Sequence, residues 1–182
     1  MKKYSFLRIF IITVVIISSV TIQSCKKGKD DPLISFRSRD GRLCRAWNLT
    51  NITGYSANNT ITFDGSNVID NNDTLYVSAN FTITFVKDAT FNFVETKTIY
   101  VYNNGQLAPT VTDNSYWAWL NSEKTKEFLQ LPESVNPFGL IPASALSGVF
   151  YVDCLKASKL ILVCNNNSGI ADTKLTFTFT AQ

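Results

Sequence analysis

The sequence predicts an all-β domain, an antiparallel up-and-down barrel of eight strands. Three observations carry that expectation. From Ala46 onward the chain is rich in Thr, Val, Ile and Phe and is cut at intervals by Asn, Asp and Gly, the punctuation of short strands. Apolar and polar residues alternate, as with Leu175, Phe177 and Phe179 against Thr176, Thr178 and Thr180, which gives a strand one buried and one wet face. No long stretch has the 3.6-residue period of an amphipathic helix.

Taken in order, residues 33–45 set Leu33, Ile34, Phe36 and Leu43 among Arg37, Arg39, Arg42 and Arg45, which predicts a short amphipathic helix or turn broken near Gly41. The first strand is 46–53 (AWNLTNIT). The second, 79–85 (ANFTITF), places Phe81, Ile83 and Phe85 on one face. Lys87-Asp88 then turns the chain into a long third strand, 90–102. Residues 116–120 (YWAWL) and 126–131 (KEFLQL) follow, and 149–155, 160–164 and 174–180 complete the eight.

The connections sort into two kinds. Those around Lys87-Asp88, 121–125 and 156–159 are short; those at 54–78, 103–115, 132–148 and 165–173 are long. Alternate connections of a meander lie at opposite ends, so the long ones rim a mouth and the tight turns close the other end. Small barrels that hold one ligand have this layout. An outer-membrane barrel shares the asymmetry but needs strands of about 9–11 residues with a lipid-facing apolar band. Most segments here are shorter and Thr-rich on the outside, which predicts a barrel that does not itself span the bilayer.

Ahead of the domain lies a targeting segment. Lys2, Lys3 and Arg8 precede an uncharged, mostly aliphatic run at 9–22, shorter than the roughly 20 residues of a spanning helix. Small and polar residues and then Cys25 follow. Ile22-Gln23-Ser24-Cys25 resembles the lipobox of bacterial lipoproteins, which implies removal of residues 1–24 and acylation of the Cys25 thiol. Lys26-Lys27-Gly28-Lys29-Asp30-Asp31-Pro32 reads as a polar tether over 25–32. Paired acids soon after the cysteine are similar to the surface-export signals of Bacteroidota lipoproteins. The expected location is the cell outer membrane, lipid-anchored, on its surface-exposed or periplasmic face.

Composition bounds what the mature chain does. Residues 1–24 hold three of the 17 basic residues and none of the 14 acids, so the remainder carries 14 of each. Residues 26–45 have seven basic and three acidic residues, and 46–182 have seven and eleven. The domain lacks the basic face that nucleic acid requires. Histidine is absent, which excludes Ser-His-Asp and Cys-His nucleophiles and histidine-ligated zinc. The acids are scattered, and no Gly-rich phosphate loop occurs. The expectation is a non-catalytic monomer without metal or cofactor.

Residues 33–39 (LISFRSR) and then Arg42-Leu43-Cys44-Arg45-Ala46-Trp47 resemble the start of lipocalin-like lipoproteins, where a short basic segment leads into a Gly-x-Trp strand; Arg45 stands at the glycine position. Residues 81–93 (FTITFVKDATFNF) are similar to that family's central hairpin, and Trp117-Ala118-Trp119-Leu120 and 175–179 follow in the expected order. The resemblance covers most of 33–182 and implies a lipocalin-like, calycin-type barrel over those residues.

Topology also speaks to the cysteines. Cys44 and Cys154 both fall at the closed end and Cys164 at the mouth; a turn centred on Ala157-Ser158 sets Cys154 opposite Ile161. An exported protein meets oxidising conditions, so a Cys44–Cys154 disulfide and three separate thiols are both open. Trp47 is expected in the core. Trp117, Trp119, Tyr100 and Tyr102 are candidate ligand-binding residues, with filling of the barrel as the alternative. The expected function is capture of a small apolar or amphipathic ligand; the alternative is a surface interaction protein whose Asn-rich loops, Asn71-Asn72-Asp73 and Asn165-Asn166-Asn167, meet protein or glycan.

Overall fold

The computed structural model describes residues 37–57, 59–120, 127–132, 135–141, 148–166 and 172–182. The expected signal peptide (1–24), lipidation site Cys25 and tether (25–32) all fall outside the described residues. The first element is a helix, α1 (Arg39–Leu43). Its start is set by Ser38, whose Oγ accepts from the Gly41 N–H at 3.0 Å. Asp40 in the first turn and Arg42 in the last suit the helix dipole. The expected break at Gly41 does not occur. That N–H is held by the cap, so the glycine sits inside the helix, which ends where the Cys44 N–H reaches the Asp40 carbonyl.

Everything after α1 is strand and connection: β1 (Ala46–Ser56), β2 (Asn59–Phe63), β3 (Val68–Asp70), β4 (Asp73–Lys87), β5 (Asn92–Tyr102), β6 (Val111–Tyr116), β7 (Ala118–Trp119), β8 (Phe128–Gln130), β9 (Val149–Leu155), β10 (Lys159–Asn166) and β11 (Thr173–Ala181). All pairings are antiparallel, in the order β6-β5-β4-β3-β2-β1-β11-β10-β9-β8-β7. β6 and β7 are one path interrupted at Trp117. β6 pairs with β5 and β7 with β8, so the two ends of the sheet meet and the sheet closes into a barrel.

All eight expected strands are present, but the segments number eleven. One extra comes from the break at Trp117, where the part before it, β6, runs through residues 111–115 that the sequence assigns to the long connection 103–115; its Thr, Asp, Asn and Ser read as loop, and pairing with β5 makes it a strand. The other two, β2 and β3, lie where the sequence predicts a loop at 54–78. Thr60-Ile61-Thr62-Phe63 alternates over too few residues to stand out, yet it buries Ile61 and Phe63. Asn71 and Asn72, at φ 54° and 117°, make the two-residue turn between the paired Asp70 and Asp73. The pair forms a wedge. At the closed end Ala46–Asn48 of β1 pair directly with Thr82–Thr84 of β4, whereas at the mouth β2 and β3 stand between the two strands.

The interior is filled. Trp47, Phe81, Phe85, Leu129, Phe177 and Phe179 are each at most 2% exposed and belong to one continuous core. Burying such a side chain is worth roughly 1.5–3 kcal/mol. The Trp47 Nε1 donates to the Leu43 carbonyl at 2.8 Å, tying β1 to the helix that covers the closed end. Tight turns at Asp88–Phe91 and Lys156–Lys159 face that end, and the long crossings gather at the other.

Candidate functional site

The mouth contains a cleft of about 510 Å³, walled by β5, β6, the start of β4 and a 3₁₀ turn at Pro137–Gly139. Alternation on β5 sends Thr96, Thr98 and Tyr100 to its inner side while Glu95 and Lys97 face out. Register sets Asp113 of β6 opposite Thr96 and Val111 opposite Thr98, so these share the face. On β4 a register shift between Val77 and Asn80, with Ser78 at φ 50°, changes the parity of the strand. Phe81, Ile83 and Phe85 point into the core below the shift, and above it Tyr76 turns into the cleft.

Tyr76 and Tyr100 stand with ring centroids 4.3 Å apart, and Tyr102 lies 5.3 Å from Tyr100 at the rim. The Tyr100 phenol is pushed up to about 12, first by hydrogen bonding with the Tyr102 hydroxyl and then by burial. Burial, followed by the Tyr102 charge, raises Tyr76. Both hydroxyls are therefore neutral at physiological pH, able to donate and to accept.

The fourth wall is Phe138, 6% exposed, with its ring 5.3 Å from Phe63, 6.1 Å from Phe81 and 6.3 Å from both Tyr76 and Tyr100. It sits at φ 57°, ψ 16°, an unusual place for a bulky side chain. A clasp holds it there. Asn136 donates from Nδ2 to the Ile141 carbonyl at 2.7 Å and accepts the Ile141 N–H at 2.9 Å, while Ser56 Oγ donates to the Leu140 carbonyl at 2.8 Å. Phe138 thus caps the filled barrel and floors the cleft. The result is one aromatic side and one lined by threonines, Asp113 and Asn136. It can bind a small amphipathic molecule; among the described residues no group of three or more His, Cys, Asp or Glu could hold a metal.

Of the candidate ligand-binding residues, Tyr100 lies in this cleft and Tyr102 on its edge. The tryptophans do not join them. Trp117 is buried against Phe85 near the closed end, with Nε1 donating to the Val86 carbonyl at 3.1 Å. It also borders a second cleft, about 280 Å³, beside Gln130 and Pro132. Trp119 donates from Nε1 to Asp40 Oδ1 at 2.8 Å and lies beneath the Arg39 guanidinium, so it locks α1 to the barrel. Cys44 follows α1 at the closed end, and Cys154 is buried on β9 opposite Ile161, as the turn geometry implied. Cys164 is buried on β10, and burial raises its thiol pKa.

No protein-family model matches the chain, and no curated protein matches it in sequence. Among solved structures, japanin from Rhipicephalus appendiculatus, crystallised bound to cholesterol, is similar over 80% of this chain and 79% of its own. The identity is 9% and the TM-score 0.42.

Sequence reasoning missed Tyr76, Thr96, Thr98, Asp113, Asn136 and Phe138. A signal for the last two exists: Asn-Pro and Phe-Gly punctuate an otherwise apolar run, Val135 to Ile141, within a surface crossing.

Proposed function

We propose that this chain is a bacterial lipoprotein of the outer membrane, acylated at Cys25, whose lipocalin-like barrel is a non-catalytic binder of a small amphipathic molecule. The observation that carries the reading is the cleft at the mouth, where Tyr76, Tyr100 and Phe138 face Thr96, Thr98 and Asp113. Rings would cover the apolar part of the ligand at about 25 cal/mol per Å², and hydroxyls and carboxylate would orient its polar part. The ligand lies above the packed core and not within it, since Phe138 closes the interior.

Native mass spectrometry of protein extracted from its own host tests this. A co-purifying small molecule is expected, and it should be lost from Tyr100→Ala; protein free of adducts in both forms would count against the reading. For the anchor, metabolic labelling with a fatty-acid analogue should disappear in Cys25→Ala, and persistence of label would exclude that cysteine.

A second reading has an observation of its own. A groove of about 430 Å³ on the insert, lined by Thr60, Thr62, Ile69, Asn71 and Asn72, suits a surface interaction with glycan or protein. Glycan-array binding abolished by Thr60→Ala and Asn72→Ala would favour it.

A further inference from the structure

We infer that the outer side of the closed end is a lipid-facing surface, so that the barrel rests on the bilayer with its mouth pointing away. Phe91, Phe93 and Tyr116 form an aromatic cluster on the outside of the β4-β5-β6 sheet, with ring centroids 5.4–6.0 Å apart. Val86 and Tyr116 flank Phe93 in register, and Leu120 follows β7 at the same end. Phe91 is 53% exposed, Tyr116 60%, Val86 46% and Leu120 45%. Nothing in the packing of the barrel calls for these rings outside. An exposed apolar cluster of this kind marks an interaction surface, and aromatic rings with a polar edge favour the membrane–water interface.

Two further observations select lipid as the occupant. The first is where the chain enters. Residues 37–45 lie at the closed end, tied there by the ion pair of Asp40 with Lys87, by Trp119 and by the Arg45 bond to the Ala157 carbonyl. Cys25 lies twelve links before Arg37, a reach of at most about 40 Å. An acyl chain on Cys25 therefore keeps this end of the barrel within that reach of the membrane, and the exposed rings and the charges select which face turns to it. The second is charge. Exposed Arg37, Lys156 and Lys159 stand at the closed end, with half-exposed Lys87. Among the described residues the acids there are Asp40, paired with Lys87; Asp88, which caps its own turn; exposed Glu95, two residues along β5 from Phe93; and half-buried Glu127 and Asp153. The opposite rim also exposes Tyr55, Tyr102, Leu107 and Val111, with Lys174 beside them, but it carries Asp73, Asp113 and Asp172 and lies far along the strands from the chain entry. Cations beside rings suit anionic head groups.

The orientation rests on the Cys25 anchor for delivery, and the experiment reads the two separately. The acylated protein, purified from membranes, is reconstituted in vesicles of phosphatidylethanolamine and phosphatidylglycerol containing lipid brominated high on the acyl chain. Phe91→Trp adds a reporter at the closed end and Tyr55→Trp one at the mouth, and the emission of the three native tryptophans is subtracted. Flotation with the vesicles reports the anchor. Quenching of the Phe91→Trp reporter by about twofold or more, with the Tyr55→Trp reporter unchanged, is expected for rings at interfacial depth. Adding Tyr116→Ser should reduce that quenching without altering flotation. Equal quenching of the two reporters, or a larger effect at Tyr55→Trp, overturns the orientation whether or not the protein floats.

Discussion

Two exposed carboxylates hold turns, Asp64 at the tip of the β2–β3 insert partway down the wall and Asp88 at the closed end. Asp64 Oδ1 accepts the Asn67 N–H at 2.7 Å and the Ser66 N–H at 2.9 Å; Asp88 Oδ1 accepts those of Phe91 and Thr90, both at 2.7 Å. These bonds favour the ionised forms, so both carboxyls titrate below the usual 3.8, Asp64 chiefly through Asn67 and Asp88 chiefly through Phe91. A depressed folded-state value means that the stabilisation is complete above the unfolded value and is lost as pH falls through the lowered one. Stability should accordingly decline in acid below 3.8. Chemical denaturation across that range should give a shallower decline for the Asp64→Asn, Asp88→Asn double variant. Identical slopes would place the acid sensitivity elsewhere. Solvent keeps the effect of each carboxylate small.

At the scale of elements, the insert β2–β3 shows how a few backbone positions decide a sheet. Asn71 is needed for more than its φ: its Oδ1 accepts the Thr60 N–H at 2.8 Å and its own N–H reaches the Thr60 carbonyl. Asn72, at φ 117°, makes no such bond among the described residues. Asn72→Gly should then relieve strain and stabilise the protein by about 0.5–1 kcal/mol, a rise of about 2 °C in Tm or somewhat more by thermal unfolding. Gly54 is the converse case. It sits at φ 140° in β1, and a Cβ there would lie 2.0 Å from the Lys174 carbonyl oxygen of β11. Gly54→Ala should cost about 3 kcal/mol in the same measurement, and an unchanged Tm would show that the two strands can separate at no cost. Neither effect is visible in residue type alone, because both depend on which strand lies opposite.

For the molecule as a whole, closure is uneven. β11 is paired along its length with β1 on one side and β10 on the other, whereas among the described residues the β7–β8 seam is Ala118 with Gln130, Trp119 with Leu129 and the Leu120 N–H on the Phe128 carbonyl. Native-state hydrogen exchange should therefore be slowest in β1, β10 and β11 and fastest across the β7–β8 seam. Protection at the seam equal to that of β11 would mean a barrel more tightly closed than this pairing provides.

Local pattern alone settled the strand class, the sorting of crossings to two poles and the place of Cys154 opposite Ile161, because alternation and turn residues act over a few neighbours. It also singled out Tyr100, whose side of β5 follows from parity. What the fold alone decided is where side chains distant in the chain converge. Trp117 and Trp119 share a face with two spacings of strand between them, yet the strand runs toward the closed end, so they meet Phe85 and Asp40 and not the ligand cleft. Tyr76 enters the cleft only because a bulge reverses the parity of β4, and Phe138 only because Asn136 and Ser56 fix its loop across the mouth. Such meetings depend on register and loop closure between residues tens of positions apart, and a one-dimensional pattern carries neither.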